Sequence, residues 1–243
     1  MRFNGMDPRE ISPRIFPAKE VIGAIPPRTL RMLDTAGGAL FGGVDLGARQ
    51  IKIVMNVAGR NHDHANELVT LLNSRFCTDE PAELEPTHWP GKAFTAILES
   101  AGDLEWRWGY GTVEYTFSAP RPYAHSVDER HIRFSGSALI TPGGTISMLP
   151  KITHTMSATA PALVISCDNI PFFRARPATG GFSAGETITI DFSKRLVTRA
   201  DEAAMGLVDY TASTWHPDIR AACLLSVSDA AGETEVRWRD EWM

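Results

Sequence analysis

Cysteine is scarce in this chain: Cys77, Cys167 and Cys223 are the three among 243 residues. They are odd in number, widely spaced and form no C-x-x-C pair, which argues against a disulfide framework or a structural zinc site. Free buried thiols in a reducing cytosol are what this usage predicts. Positive charge is also in short supply. With 24 Lys and Arg against 29 Asp and Glu, the net charge is −5, the wrong sign for a surface built to neutralise phosphates. No apolar run approaches the ~18 residues that a membrane span needs. The opening "MRFNGMDPRE" lacks the apolar stretch of a signal peptide. Internal repeats, heptads and low-complexity tracts are missing too.

What the sequence does have is alternation. In "QIKIVMNV" Ile51, Ile53, Met55 and Val57 share one face, with Lys52, Val54 and Asn56 on the other. "KAFTAILE" groups Phe94, Ala96 and Leu98, "LEWRW" groups Trp106 and Trp108, and "TVEYTF" groups Val113, Tyr115 and Phe117. A period of two marks half-buried strands. "GYG" between the last two predicts a hairpin turn. One helix is expected over about 61–76, capped by Asn61 or Asp63. Its apolar stripe is Ala65, Leu68, Val69, Leu72 and Phe76, at i, i+3, i+4, i+7 and i+11.

Two prolines in "SAPRPYAHS" place a boundary near Ser118–Ser126. The reading is therefore two domains, 1–122 with the helix and 123–243 without one. In the second, "HIRF", "TISMLPKITH", "ALVISC", "ETITIDF", "RLVTR", "CLLSVS" and "TEVRWR" are candidate strands, spaced as in an antiparallel β-sandwich. "ALVISC", apolar on both faces, is expected to sit centrally.

Several segments imitate catalytic motifs. Gly181–Gly185 spells G-x-S-x-G, the nucleophile signature of a serine hydrolase. That chemistry needs a buried strand before Ser183 and a helix after it. Here "RARPATG" precedes and the strand-like "ETITIDF" follows, only His216 lies downstream, and no oxyanion motif is present. Ser183 reads as part of a glycine-rich loop. "DFS" at Asp191 falls one letter short of a kinase D-F-G, with no phosphate loop and no H-R-D to support it. His62 and His64 are two apart, so on a helix one metal cannot readily take both; Asp63 between them suits a helix N-terminus. "GGALFGG" lacks the P-loop lysine and the Rossmann spacing, and reads as a turn between strands. Trp215 and Trp238 could form a sugar platform, but packing is the expected role, with Trp238 facing inward between Arg237 and Arg239. His88 and Trp89 in "THWPGK" fall at a hairpin tip formed by Pro90 and Gly91. No catalytic, cofactor-binding or metal-ligating set emerges, which favours a structural or binding role.

In the strand pair "GETITIDFSKRLV", Ile188, Ile190 and Phe192 are expected to face the core. Thr187, Thr189 and Asp191 face out, and "SKR" carries the turn. Asp191 is placed to bond turn backbone or to pair with Lys194 or Arg195.

Taken together, "RFNGMD", "IPPRTLRM", "GGVDLGARQIKIVMNVAGR", "PTHWPGKAFTAIL", "YTFSAPRPYA", "MLPKI", "ALVISC", "GETITIDFSKRLV", "STW" and "EVRWRDEW" resemble, in that order, the distal tail protein (Dit) family of long-tailed phages. The resemblance spans nearly the whole chain. It departs at "STWHPDIRAACLLSVS", where "DIRAA" replaces the glycine–asparagine turn that family members often carry. It implies a mainly β protein, with a β-sandwich or barrel-like N-terminal domain bearing one helix and a C-terminal galectin-like antiparallel β-sandwich. It implies a homo-oligomeric ring, usually a hexamer, in the tail tip of the virion. That ring joins the tail tube protein to the tail-tip hub around the channel through which DNA leaves, without specific DNA binding, cofactor or membrane. The outer domain is then a platform for other tail-tip proteins, receptor-binding proteins among them. An acidic balance suits such a channel, because negative walls do not hold DNA. The alternative is a carbohydrate-binding module, since galectin-like sandwiches elsewhere bind sugars; an enzyme is the third reading.

Overall fold

The computed structural model describes residues 1–23, 26–35, 38–107 and 110–243. The protein is mainly β with one α-helix and divides into two units, Met1–His125 with Met243, and Ser126–Trp242.

The first unit contains β1 (Arg2–Phe3), β2 (Ile15–Ile22), β3 (Arg28–Thr35), β4 (Gly38–Leu46), β5 (Arg49–Val57), α1 (His62–Phe76), β6 (Ala82–Glu85), β7 (Lys92–Ala101), β8 (Glu105–Arg107) and β9 (Tyr110–Ala119). Its main sheet runs β1-β6-β7-β9-β5-β2, antiparallel throughout. Alternation decides its faces: Ile51, Ile53, Met55 and Val57 of β5 are buried, as are Val113, Tyr115 and Phe117 of β9. Asn61 is the helix cap, its side chain accepting from the His64 N–H at 2.9 Å. The stripe of Ala65, Leu68, Val69, Leu72 and Phe76 is buried against that sheet, with Phe76 edge-on to Phe3, Tyr115 and Phe117. Burying such side chains contributes about 1.5–3 kcal/mol each, which is why a 15-residue helix of modest propensity holds its place here.

Of "GGALFGG", expected as a turn, Gly38–Gly43 belong to strand β4 (Gly38–Leu46) and Gly37 lies outside the described residues. Among the described residues β4 pairs with β3 alone. The register slips between Arg31 and Met32, leaving Gly42 as an extra residue. Gly43 has φ +126°, a conformation that side chains rarely adopt. Of the turn expected at "GYG", Tyr110 and Gly111 belong to β9, opposite Arg107 and Trp106. Gly109 and Trp108 lie outside the described residues.

β10 (Ala124–Ser126) falls at the boundary, and the second unit runs through β11 (Arg130–Ser135), β12 (Ser137–Ile140), β13 (Lys151–Thr155), β14 (Leu163–Cys167), β15 (Ile170–Ala175), β16 (Thr187–Asp191), β17 (Leu196–Arg199), β18 (Glu202–Ala203), β19 (Cys223–Val227), β20 (Glu233–Trp238) and β21 (Glu241–Trp242). Two sheets, β11-β20-β13-β16-β17-β18 and β12-β19-β14-β15, face one core. Ile152, Ile188, Ile190, Val197 and Val236 come from the first; Leu163, Ile165, Phe173 and Leu225 come from the second. β14 is an interior strand, as its two apolar faces require. Thr145–Leu149, expected as strand, is not one. Its backbone bonds run instead to Glu241 and Ile219, as with the Met148 N–H to the Ile219 carbonyl at 3.1 Å. Segments absent from the sequence reading, Ser137–Ile140 and Ile170–Ala175, are strands; the second holds Pro171 beside a register shift, which hides its pattern.

Candidate functional site

Each motif that imitates chemistry finds a structural role. Ser183 is exposed in the loop before β16, and its N–H donates to the Glu186 carboxylate at 2.9 Å. The flanking Gly180 and Gly185 have φ of +73° and +79°. Asp191 closes the β16–β17 turn, accepting from the Ser193 hydroxyl at 2.6 Å and the Lys194 N–H at 3.0 Å. Arg195 takes φ +53° and reaches the His216 ring at 2.8 Å. His62 bonds Asn66 at 3.1 Å and stacks edge-on against Trp106, whereas the His64 ring accepts from the Arg60 N–H. They do not converge. Among the described residues no group of three His, Cys, Asp or Glu is placed to hold a metal.

The tryptophans form no joint platform. Trp215 packs edge-on against Phe173 and Phe192, at 5.2 and 5.8 Å, and Trp238 is buried. Trp89 leans on Phe94 within the first core, with Lys92 over its ring. His88 donates from the hairpin tip to the Glu20 carboxylate. Burial pushes Glu20 up, and the bonds from His88 and Thr87 pull it below the ordinary carboxylate value.

The cysteines correct a sequence expectation. All three are free, but only Cys223 is buried, while Cys77 is exposed and Cys167 half-buried. Cys167 and Cys223 stand on adjacent strands, β14 and β19, with interacting thiols. Burial first, and the neighbouring thiol second, push Cys223 up to about 12.

One cluster has no sequence signature, because its members are far apart in the chain. His154 of β13 is fully buried. Its Nδ1 lies 2.9 Å from the Thr234 hydroxyl and its Nε2 3.2 Å from Asp229. Asp229 in turn accepts from the N–H and hydroxyl of Ser157. The types match a hydrolase triad and the order does not. Ser157 donates to the aspartate rather than to the imidazole, and Thr234 is buried away from any substrate. Gly232 is required beside it, since a Cβ there would meet His154 Cε1 at 2.5 Å. Burial holds the imidazole below its ordinary value, against the pull of Asp229.

The β3–β4 ribbon carries an exposed apolar face. Leu30 stands opposite Val44, and Met32 opposite Phe41, so four apolar side chains line one face as two cross-strand pairs. All four are exposed, Phe41 at 64% and Leu30 at 61%. The other face carries the Arg31–Asp45 ion pair. A two-stranded ribbon is marginal by itself in water, and an apolar face rimmed by charge marks a contact surface.

Residues 143–242 match the family model "Siphovirus-type tail component, C-terminal domain". The crystal structure of the phage SPP1 Dit protein, titled a paradigm of hub adsorption apparatus in Gram-positive infecting phages, superimposes with a TM-score of 0.77. It does so at 14% identity, over 99% of this chain and 98% of that one. The phage P2 baseplate in its activated conformation with Ca aligns over 93% of this chain and 90% of that one, with 8% identity and a TM-score of 0.44, too distant to carry an argument. No curated protein matches in sequence. Residues 143–242 are thus similar to the siphovirus-type tail-component C-terminal domain, and over its length the chain has the fold of the Dit hub protein.

Proposed function

We propose that the protein forms a closed ring in the tail tip of a long-tailed phage virion. The ring joins the tail tube to the tail-tip proteins around the path of the exiting DNA. The first unit, residues 1–122 in the sequence reading, makes the ring, and the second stands outside it as a galectin-like platform for other tail proteins. The carrying observation is the β3–β4 ribbon, whose apolar side chains Leu30, Met32, Phe41 and Val44 are all exposed. A closed ring needs two different complementary faces on each copy. The ribbon supplies one, and the outer edge of β2, paired on its other side with β5 alone, supplies an unfilled strand edge. Native mass spectrometry tests the reading. A single closed species, expected as a hexamer, should dominate at micromolar concentration. It should dissociate in a variant with Leu30, Met32, Phe41 and Val44 all replaced by threonine. A wild-type protein that stays monomeric both alone and with purified tail-tip partners would sink it. The carbohydrate-binding alternative loses the platform expected of Trp215 and Trp238, because both are taken up by packing.

A further inference from the structure

The second unit brings two of the three cysteines together. Cys167 closes β14 in phase with Leu163 and Ile165, and Cys223 opens β19 in phase with Leu225 and Val227. Both therefore point to the core side of one sheet, and both pack in that core. Their strands are neighbours. Cys167 stands opposite Leu225, which puts Cys223 on its diagonal and on the same face. The two thiols interact directly. Cys223 is buried and Cys167 half-buried, so one sulfur is sealed and the other can be reached from solvent.

The pair sits at a strand end. Cys167 is the last residue before the turn Asp168–Asn169, where φ is +51° and +65°, and Ile170 beyond the turn is 71% exposed. The ladder is already irregular there, since the Leu224 N–H donates to the Asp168 carboxylate at 2.8 Å. Diagonal partners in a regular sheet stand about 7–8 Å apart at Cα, and a disulfide spans about 4.4–6.8 Å. Thiols already in contact at such an end need only a small closing movement to bond.

We propose that Cys167 and Cys223 form a modification site, which a small-molecule disulfide such as oxidised glutathione converts to an intrachain disulfide tying β14 to β19. The Cys167 thiol loses its proton to solvent. Its sulfur attacks one sulfur of the oxidant, forming a mixed disulfide and releasing one thiolate. Cys223 then gives up its proton and attacks the Cys167 sulfur, and the second thiolate leaves. The released thiolates take up two protons, so the cysteine pair loses two electrons and the oxidant is reduced to two thiols. Burial keeps the Cys223 thiol protonated and makes the second step the slow one. The bond closes the loop that carries β15 to β18, and closing a long loop restricts the unfolded chain and braces the fold. A reducing cytosol leaves the pair open and an oxidising medium closes it. The site stands apart from the ring reading.

The test uses Cys77→Ser, which removes the exposed thiol that would react by itself. Under native conditions oxidised glutathione should take the thiol count of this variant from two to zero and add no glutathione mass. Peptide mapping should find one cross-linked pair, containing Cys167 and Cys223. Cys223→Ser in the same background should instead hold one glutathione on Cys167, because the resolving thiol is gone. Two thiols that stay free, a stable adduct on Cys167 in Cys77→Ser, a bond between copies, or closure only in urea would each overturn the proposal. If Cys223→Ser does not fold, the peptide map of Cys77→Ser decides by itself. The oxidised form should also unfold at a higher temperature than the reduced one, a gain that dithiothreitol reverses; a midpoint at or below the reduced one overturns the bracing role. These readouts are the same whether or not copies assemble, so their failure leaves the ring reading intact.

Discussion

Two hairpins of this protein, β3–β4 and β16–β17, follow the same local recipe and end in opposite circumstances. Each pairs two short antiparallel strands with apolar residues on one face. β16–β17 lies within a larger sheet, held by β13 on one side and β18 on the other, with Ile188, Ile190 and Val197 sealed in a core. β3–β4 bonds only itself and turns Leu30, Met32, Phe41 and Val44 outward. The difference lies in what the rest of the chain provides. The first hairpin's apolar face is exposed, and the second's serves the fold.

The largest effect should come from charging the buried hairpin. Ile190→Asp places an unpaired carboxylate in the second core and should cost about 4 kcal/mol or more. Urea unfolding of that unit would show it; a loss under about 1 kcal/mol would mean the hairpin is not as sealed as described.

A smaller effect follows from His154, whose strand pairs with β16 and whose register partner is Ile188. Its imidazole is held below the ordinary value of 6.5 in the folded state, chiefly by burial. The unfolded chain therefore binds a proton that the folded chain resists. Stability is complete above pH 6.5 and falls as the pH drops below it, by up to about 1.4 kcal/mol per pH unit. Asp229, lowered by its bonds from Ser157 and His154 in spite of burial, stays charged through that window. Hydrogen exchange of β13 and β16 amides between pH 7 and 5 reads the slope, corrected for the pH dependence of intrinsic exchange; a flat profile would contradict it.

Smaller again, Asp191→Ala removes the acceptor for the Ser193 hydroxyl and the Lys194 N–H and should cost about 1 kcal/mol. Smallest of all, Phe41→Thr on the ribbon should change protomer stability by no more than about 0.5 kcal/mol, while lowering assembly sharply. A loss of ~2 kcal/mol in the isolated protomer would show that the ribbon face is covered by its own chain.

The contrast also explains what the sequence made legible. Strict alternation in "ETITIDF" and "QIKIVMNV" is written by burial on one side, so both strands and their faces could be read directly. The helical stripe Ala65–Phe76 was legible for the same reason. The ribbon was not. Its glycines and its bulge break the period of two, and its apolar face answers to no core within the chain. The Ser157–Asp229–His154–Thr234 cluster assembles residues up to 80 apart, which no spacing can signal. The functional reading came from the order of many loose segments, since no motif of the chain supports chemistry.

The slip at Gly42 has one further consequence. An extra residue in one strand sharpens the local right-handed twist and throws the neighbouring edge out of step. A flat, regular ribbon with a free edge is a template for endless strand addition, the route by which β proteins grow into fibres. The bulge spoils that template while leaving the Leu30–Val44 and Met32–Phe41 face intact. In the proposed ring, contact would then run through a face rather than a strand edge, and growth through faces can close on itself and stop.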